Sequence, residues 1–215
     1  MNPDSDNAHP LAARFRAFVK EESFPCVGGK SAIARDQIEF IVARDIRSSW
    51  DDVRIYHALL AFATRYSREP KLFQSFVVLF KEPGNLSEVE FETALWDRVQ
   101  SLADKDAWHG HAYDPRVSDD PSSPHFSLSF GAEGFFLVGL HQLASRPARR
   151  FDRPALVFNV HDQFERLRAE RRYETLRGAI IDRDIAISGT ANPMLARHGE
   201  VSEARQYSGR AVDGA

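Results

Sequence analysis

Cysteine is nearly missing from this chain: Cys26 is its single thiol among 215 residues. One cysteine excludes an internal disulfide framework and fits a reducing compartment. Long apolar runs are missing too. No stretch approaches the roughly 18 residues of a spanning helix, so no membrane partner is expected. The opening decapeptide MNPDSDNAHP has neither the basic start nor the apolar stretch of a secretory signal. An excess of charge of one sign is also absent. Lys+Arg 28 against Asp+Glu 31 leaves a formal net charge of −3, which argues against nucleic acid as a bulk partner. There is no internal repeat and no low-complexity linker. The expectation is a cytoplasmic protein with a disordered start over 1–8, one domain over 9–210 and a short tail over 211–215.

Phenylalanine is plentiful, with 16 copies, so the core is expected to be rich in aromatics. Leu11, Phe15 and Phe18 mark one face of a helix over 10–21. In QIEFIVARDI (37–46) Ile38, Phe40 and Val42 alternate, which predicts a strand. Ser49 and Asp52 have the spacing of a capping box, and a helix follows to about Ser67 with Val53, Tyr56, Leu60 and Ala63 on one face. LFQSFVVLF (72–80) reads as a buried strand. Ser87 and Glu90 form a second capping box, opening a helix to about Asp104. The stretch 106–125 is a long loop with three prolines. Loops of that length are functional or mobile. HFSLSF (125–130) and GFFLVGLH (134–141) read as a hairpin joined at Gly131–Gly134. PALVFNV (154–160) is a further strand, and helices follow from Asp162 and from Tyr173 to Ile187. The order predicts an α+β single domain whose mainly antiparallel sheet is covered by helices.

Four segments have side chains suited to chemistry. The first is FPCVGGKSA (24–32), where Pro25, Gly28 and Gly29 predict a loop around Cys26. Lys30 stands four residues on, and a nearby cation favours the reactive thiolate; a buried inert thiol is the bland reading. GGKS resembles the end of a phosphate loop, but Phe24 occupies the place of its first glycine and no strand precedes it. The second is LHQLASRPARRF (140–151), in which Arg146, Arg149, Arg150 and the following Arg153 gather after a strand end, with His141 at its mouth. Guanidinium forks suit carboxylates and phosphates. The bland reading is a solvated turn. The third is FNVHDQFERLRAERRYE (158–174), where His161 stands at a strand-to-helix junction. It is read there as a cap or a buried hydrogen-bonding group. The fourth is the 192–210 tail, whose Glu203, Arg205, Gln206 and Tyr207 either tie the tail down or reach a pocket. His109 and His111 in the long loop form a weak metal pair, since no further ligand lies near them in sequence.

FPCVGGKSA, HFSLSFGAEGFFLVGLHQLASRPARRF, LVFNVHDQFERLR and ANPML…GEVSEARQYSGR, in this order over about residues 20–210, resemble the YqcI/YcgG family. More narrowly they are similar to its branch of haem-dependent guanidine N-hydroxylases, typified by the enzyme of guanitoxin biosynthesis. Two positions depart from that pattern: Gly29 stands where the branch has alanine, and Gln142 where it has proline. The resemblance implies a monooxygenase with non-covalent haem b that hydroxylates a guanidine-bearing amino acid, arginine or an enduracididine-like compound, or a related amine. It would use O₂ and an electron donor, as a monomer or homodimer. A non-catalytic haem sensor or carrier is the alternative. Cys26 is implied as axial ligand, since thiolate ligation favours O–O cleavage, with His141 as its rival. Lys30, Arg146, Arg149, Arg150 and His161 are implied as cofactor contacts, the arginines through the haem propionates. The Phe-rich strands at 126–136 are expected to wall the porphyrin.

Overall fold

The computed structural model describes residues 6–192 and 199–211. Helix α1 (Pro10–Lys20) leads into α2 (Val27–Ala34), strand β1 (Ile38–Asp45) and, after a 3₁₀ turn, α3 (Asp52–Arg68). Strand β2 (Ser75–Glu82), helix α4 (Glu88–Trp108) and the long loop follow, then β3 (Leu128–Phe130), β4 (Glu133–Leu140) and β5 (Ala155–Val160). Helices α5 (Asp162–Ala169), α6 (Tyr173–Ser188) and the short α7 (Ala204–Tyr207) complete the domain. The five strands form one sheet in the order β1-β2-β5-β4-β3. β1 and β2 are parallel, joined by the α3 crossover, and every other pairing is antiparallel. The architecture is α+β, as the sequence predicts.

The middle of the sheet explains the continuous apolar runs. β2 is buried on both faces from Ser75 to Phe80, so its sequence does not alternate. One face packs on α3 and α4 through Phe62, Phe76, Phe91, Leu95, Phe135 and Phe158. The other packs on α1 and α2 through Phe15, Val19, Phe40, Val77 and Leu79. The β3–β4 connection is a two-residue turn, with Phe130 paired to Glu133 and Gly131 and Ala132 both at positive φ. That is the turn geometry that matches strand twist.

Several local expectations change. FPCVGGKSA is not a loop: Val27–Ala34 is helical, and Cys26 caps it by accepting the Gly29 N–H at 3.3 Å. Tertiary packing outweighs the glycines' cost of about 1 kcal/mol each in a helix. The capping box at Ser49 does not form. Ser48 caps the 3₁₀ turn instead, and Asp51 caps the Arg44 N–H of β1. The Ser87/Glu90 box forms with both bonds present. α4 runs past Asp104 because Asp106 is anchored, taking the Tyr56 hydroxyl and the Gly131 N–H. The start expected to be disordered is tied down where it is described. Asp6 pairs with Arg54 at 2.9 Å, and Asn7 accepts the Phe40 N–H at 3.0 Å.

Candidate functional site

On the α1/α2 face the sheet is not fully covered. Toward β4 and β5 it floors two adjoining cavities of about 260 Å³ and about 390 Å³. Both are lined by Cys26, Ser75, Phe136, Asn159, Arg177 and Gln206, so they form two lobes of one cleft. Its size suits a cofactor or a substrate-sized ligand. Helix α6 is the outer wall. Leu176, Ile180 and Ile181 turn toward the cleft, and Tyr173 and Asp184 continue the same stripe at helical spacing. Two contacts hold the wall at its ends: Arg168 lies 4.4 Å over the Tyr173 ring, and Arg146 pairs with Asp184.

Cys26 stands where the lobes meet. Burial pushes its thiol pKa up, and the backbone N–H groups of Gly29 and Gly28 pull partly the other way. Among protein groups alone the sulfur is therefore a thiol. It sits at a helix N-terminus and faces an apolar space. The glycine pair keeps the flank of the sulfur open: a Cβ would come within 3.8 Å of it at Gly28 and 3.6 Å at Gly29.

The arginine cluster divides. Arg149 lines the larger lobe and donates to the carbonyls of Gly139 at 3.0 Å, Tyr207 at 3.1 Å and Gln206 at 2.9 Å. Burial lowers its pKa to about 10, against the opposing pull of Asp184. Arg146 reaches the site through Asp184 and also donates to the Thr190 carbonyl at 2.8 Å. Arg150 is spent on the turn carbonyls of Ala144 and Ser145 and does not line the cleft. Lys30 likewise points away, to the Glu22 carbonyl. His161 lines the smaller lobe and begins α5, but its side chain makes no cap bond.

His141 is displaced from its expected role. His141 is 2% exposed, its ring stacks on Phe91, and it does not line the cleft. An axial ligand at His141 would require the α4 side of the core to open. The expected aromatic walls are also corrected. Phe126, Phe130 and Phe135 lie in the core under α3 and α4, and of this run Phe136 faces the cleft. Strand alternation sends neighbours to opposite faces. His111 is engaged by Asp106 and Tyr56, and no group of three or more metal-binding side chains occurs among the described residues.

In the tail, Glu203 and Gln206 line the cleft while Tyr207 is buried in the core, its hydroxyl donating to Glu203 at 2.7 Å. Sequence reasoning missed Arg177, Ser75 and Asn159. The stripe Tyr173, Leu176, Arg177, Ile180 was a legible signal for the first. Only strand pairing brings the other two together.

The curated relatives are uncharacterized. The chain is 26% identical over 153 residues to the uncharacterized protein YqcI of Bacillus subtilis (strain 168), covering 69% of this chain and 59% of that one. It is 27% identical over 121 residues to the uncharacterized protein YcgG of the same organism, covering 54% of this chain and 46% of that one. It thus spans about half the length of the curated relatives it matches. No solved structure matches. The family pattern itself fits residues 15–215, which takes in the sheet, the Cys26 helix, the arginine turn and the α6 wall, and on that match this chain belongs to the YqcI/YcgG family.

Proposed function

We propose that the cleft holds haem b and that the protein is a monooxygenase that N-hydroxylates a guanidine-bearing amino acid. The observation that carries this reading is the placement of Cys26. The one thiol of the chain faces the meeting point of two largely apolar lobes, at a helix N-terminus. The residues present fit the group. Phe136, Val138 and Ile180 offer apolar walls, Cys26 offers a soft ligand, and Arg149 and Arg177 offer cations for carboxylates. Bound haem would supply O₂ activation, with electrons from a separate donor.

The chain's own residues do the rest. Cys26 would hold the iron through its sulfur, which the Gly29 N–H fixes at the start of α2. Helix α6 walls the apolar lobes on their outer side. Arg149 holds the α7 tail against β4, so Glu203 and Gln206 stay at the cleft edge. Glu203 is a carboxylate on the lining of the smaller lobe, the charge type that pairs with a guanidinium.

The test is the visible spectrum of protein purified from haem-replete cells. A Soret band is expected, the colour should leave with acid–butanone, and the reduced carbon monoxide complex should absorb at about 450 nm. Cys26→Ser should lose that band and the N-hydroxylation of arginine assayed with O₂ and a reductant. A colourless protein overturns the reading. Haem without turnover on any guanidine substrate leaves a carrier or sensor.

A further inference from the structure

The floor of the cleft contains a polar pair where strand alternation calls for apolar residues. On the cleft face of β5 the sequence runs Ala155, Val157, Asn159. Asn159 faces Ser75 on β2 and Phe136 on β4, and Ser75 faces Ile38 on β1. The row across the sheet is therefore Ile38, Ser75, Asn159, Phe136, and all four line the cleft. An amide in an apolar space costs free energy unless its groups are bonded. Here only part of it is. The Ser75 hydroxyl donates to Asn159 Oδ1 at 2.8 Å, which fixes the amide plane and turns the Nδ2 group away. One N–H of Nδ2 reaches the Val157 carbonyl at 3.5 Å, the far limit of a hydrogen bond. The other has no acceptor among the described residues.

We infer that Asn159 is the ligand-orienting donor of the cleft, preset by Ser75 to give a hydrogen bond to an acceptor atom of the molecule bound there. Ser75 is its positioning residue. The geometry supports this in three ways. Both residues stand on rigid central strands. Both line both lobes, as Cys26 does. Ser75 occupies the acceptor side of the amide, so the side left for a ligand is a donor. The inference rests on the haem reading for the identity of the acceptor, which would then be a small diatomic molecule held by the haem. The polarity and donors around that position decide how such a molecule is held.

Carbon monoxide is the probe. The infrared C–O stretch of the reduced complex is compared in the wild type, Asn159→Leu, Asn159→Gln and Ser75→Ala. A donor on the oxygen end lowers that frequency. Asn159→Leu, close in size but apolar, should raise it. Ser75→Ala should broaden or split the band as the amide loses its fixed plane. Asn159→Gln, which keeps a donor on a longer arm, should fall between wild type and Asn159→Leu. Dissociation of O₂ from the reduced protein should speed about tenfold in Asn159→Leu, the worth of one hydrogen bond. Haem-loaded proteins with the same C–O stretch in all four overturn the role of Asn159 and leave the haem reading intact. A wild type that takes up no haem overturns both. If Asn159→Leu fails to retain haem, Ser75→Ala and Asn159→Gln decide: unshifted bands in both refute the inference.

Discussion

The imidazole of His141 lies face to face with the ring of Phe91, centroids 4.4 Å apart and planes 20° from parallel. That stack and its burial make His141 a core residue, and burial pushes its pKa below the usual histidine range. The unfolded chain therefore takes up a proton near pH 6.5 that the folded chain refuses until lower pH. The stabilisation is present above about pH 6.5 and is lost as pH falls through the lower folded value. His141→Phe should keep the stack but not this dependence. Urea unfolding at about pH 7.5 and about pH 5.5 should show the wild type losing ground to the variant at the lower pH. A gap that is the same at both would refute the assignment. On the proposed haem reading, the variant should also retain haem and its thiolate-type spectrum.

Cys26 should be slow to react in the ligand-free protein. Its pKa is raised by burial, and the thiolate is the reactive form. Iodoacetamide labelling at neutral pH should run well below the rate of a free thiol and rise on unfolding in urea. Added haem should block it. Fast labelling of the folded protein would count against a protonated thiol at the junction of the lobes.

Arg149 ties three backbone carbonyls from two elements. Arg149→Ala leaves them without this donor and should cost roughly 1–3 kcal/mol, read by urea unfolding. Arg149→Lys should recover little, because a single ammonium lacks the fork that reaches three acceptors. If the cleft holds haem as proposed, it should also leave faster from both variants, by roughly tenfold where a carboxylate contact is lost. Arg150→Ala, which breaks only turn contacts, is the control and should leave the haem off-rate unchanged.

Gly139 lies on β4, where an added Cβ would come within 2.7 Å of Phe91 and 2.8 Å of Leu95. These neighbours are in the α4 core and cannot swing into solvent. Gly139→Ala should therefore destabilise by about 1–3 kcal/mol through overpacking. Gly84→Ala meets the ends of the Arg153 and Gln142 side chains, which can swing aside, and should be near neutral, measured in the same way.

The sequence by itself determined the elements whose cause is local. The unbroken apolar run of β2, the Ser87/Glu90 box that opens α4 and the Gly131 turn were legible, because periodicity, capping and turn chemistry act over a few residues. Tertiary structure decided the rest. Val27–Ala34 is a helix despite two glycines, since packing around Cys26 outweighs propensity. Ser75 and Asn159 meet only because β5 inserts between β2 and β4, a pairing that no local signal specifies. The arginine cluster has one composition but separate fates, because the path of the chain after β4 turns Arg149 inward and Arg150 toward its own turn. His141 stands beside that cluster in sequence, yet strand alternation places it on the α4 side, away from the cleft that Cys26 faces.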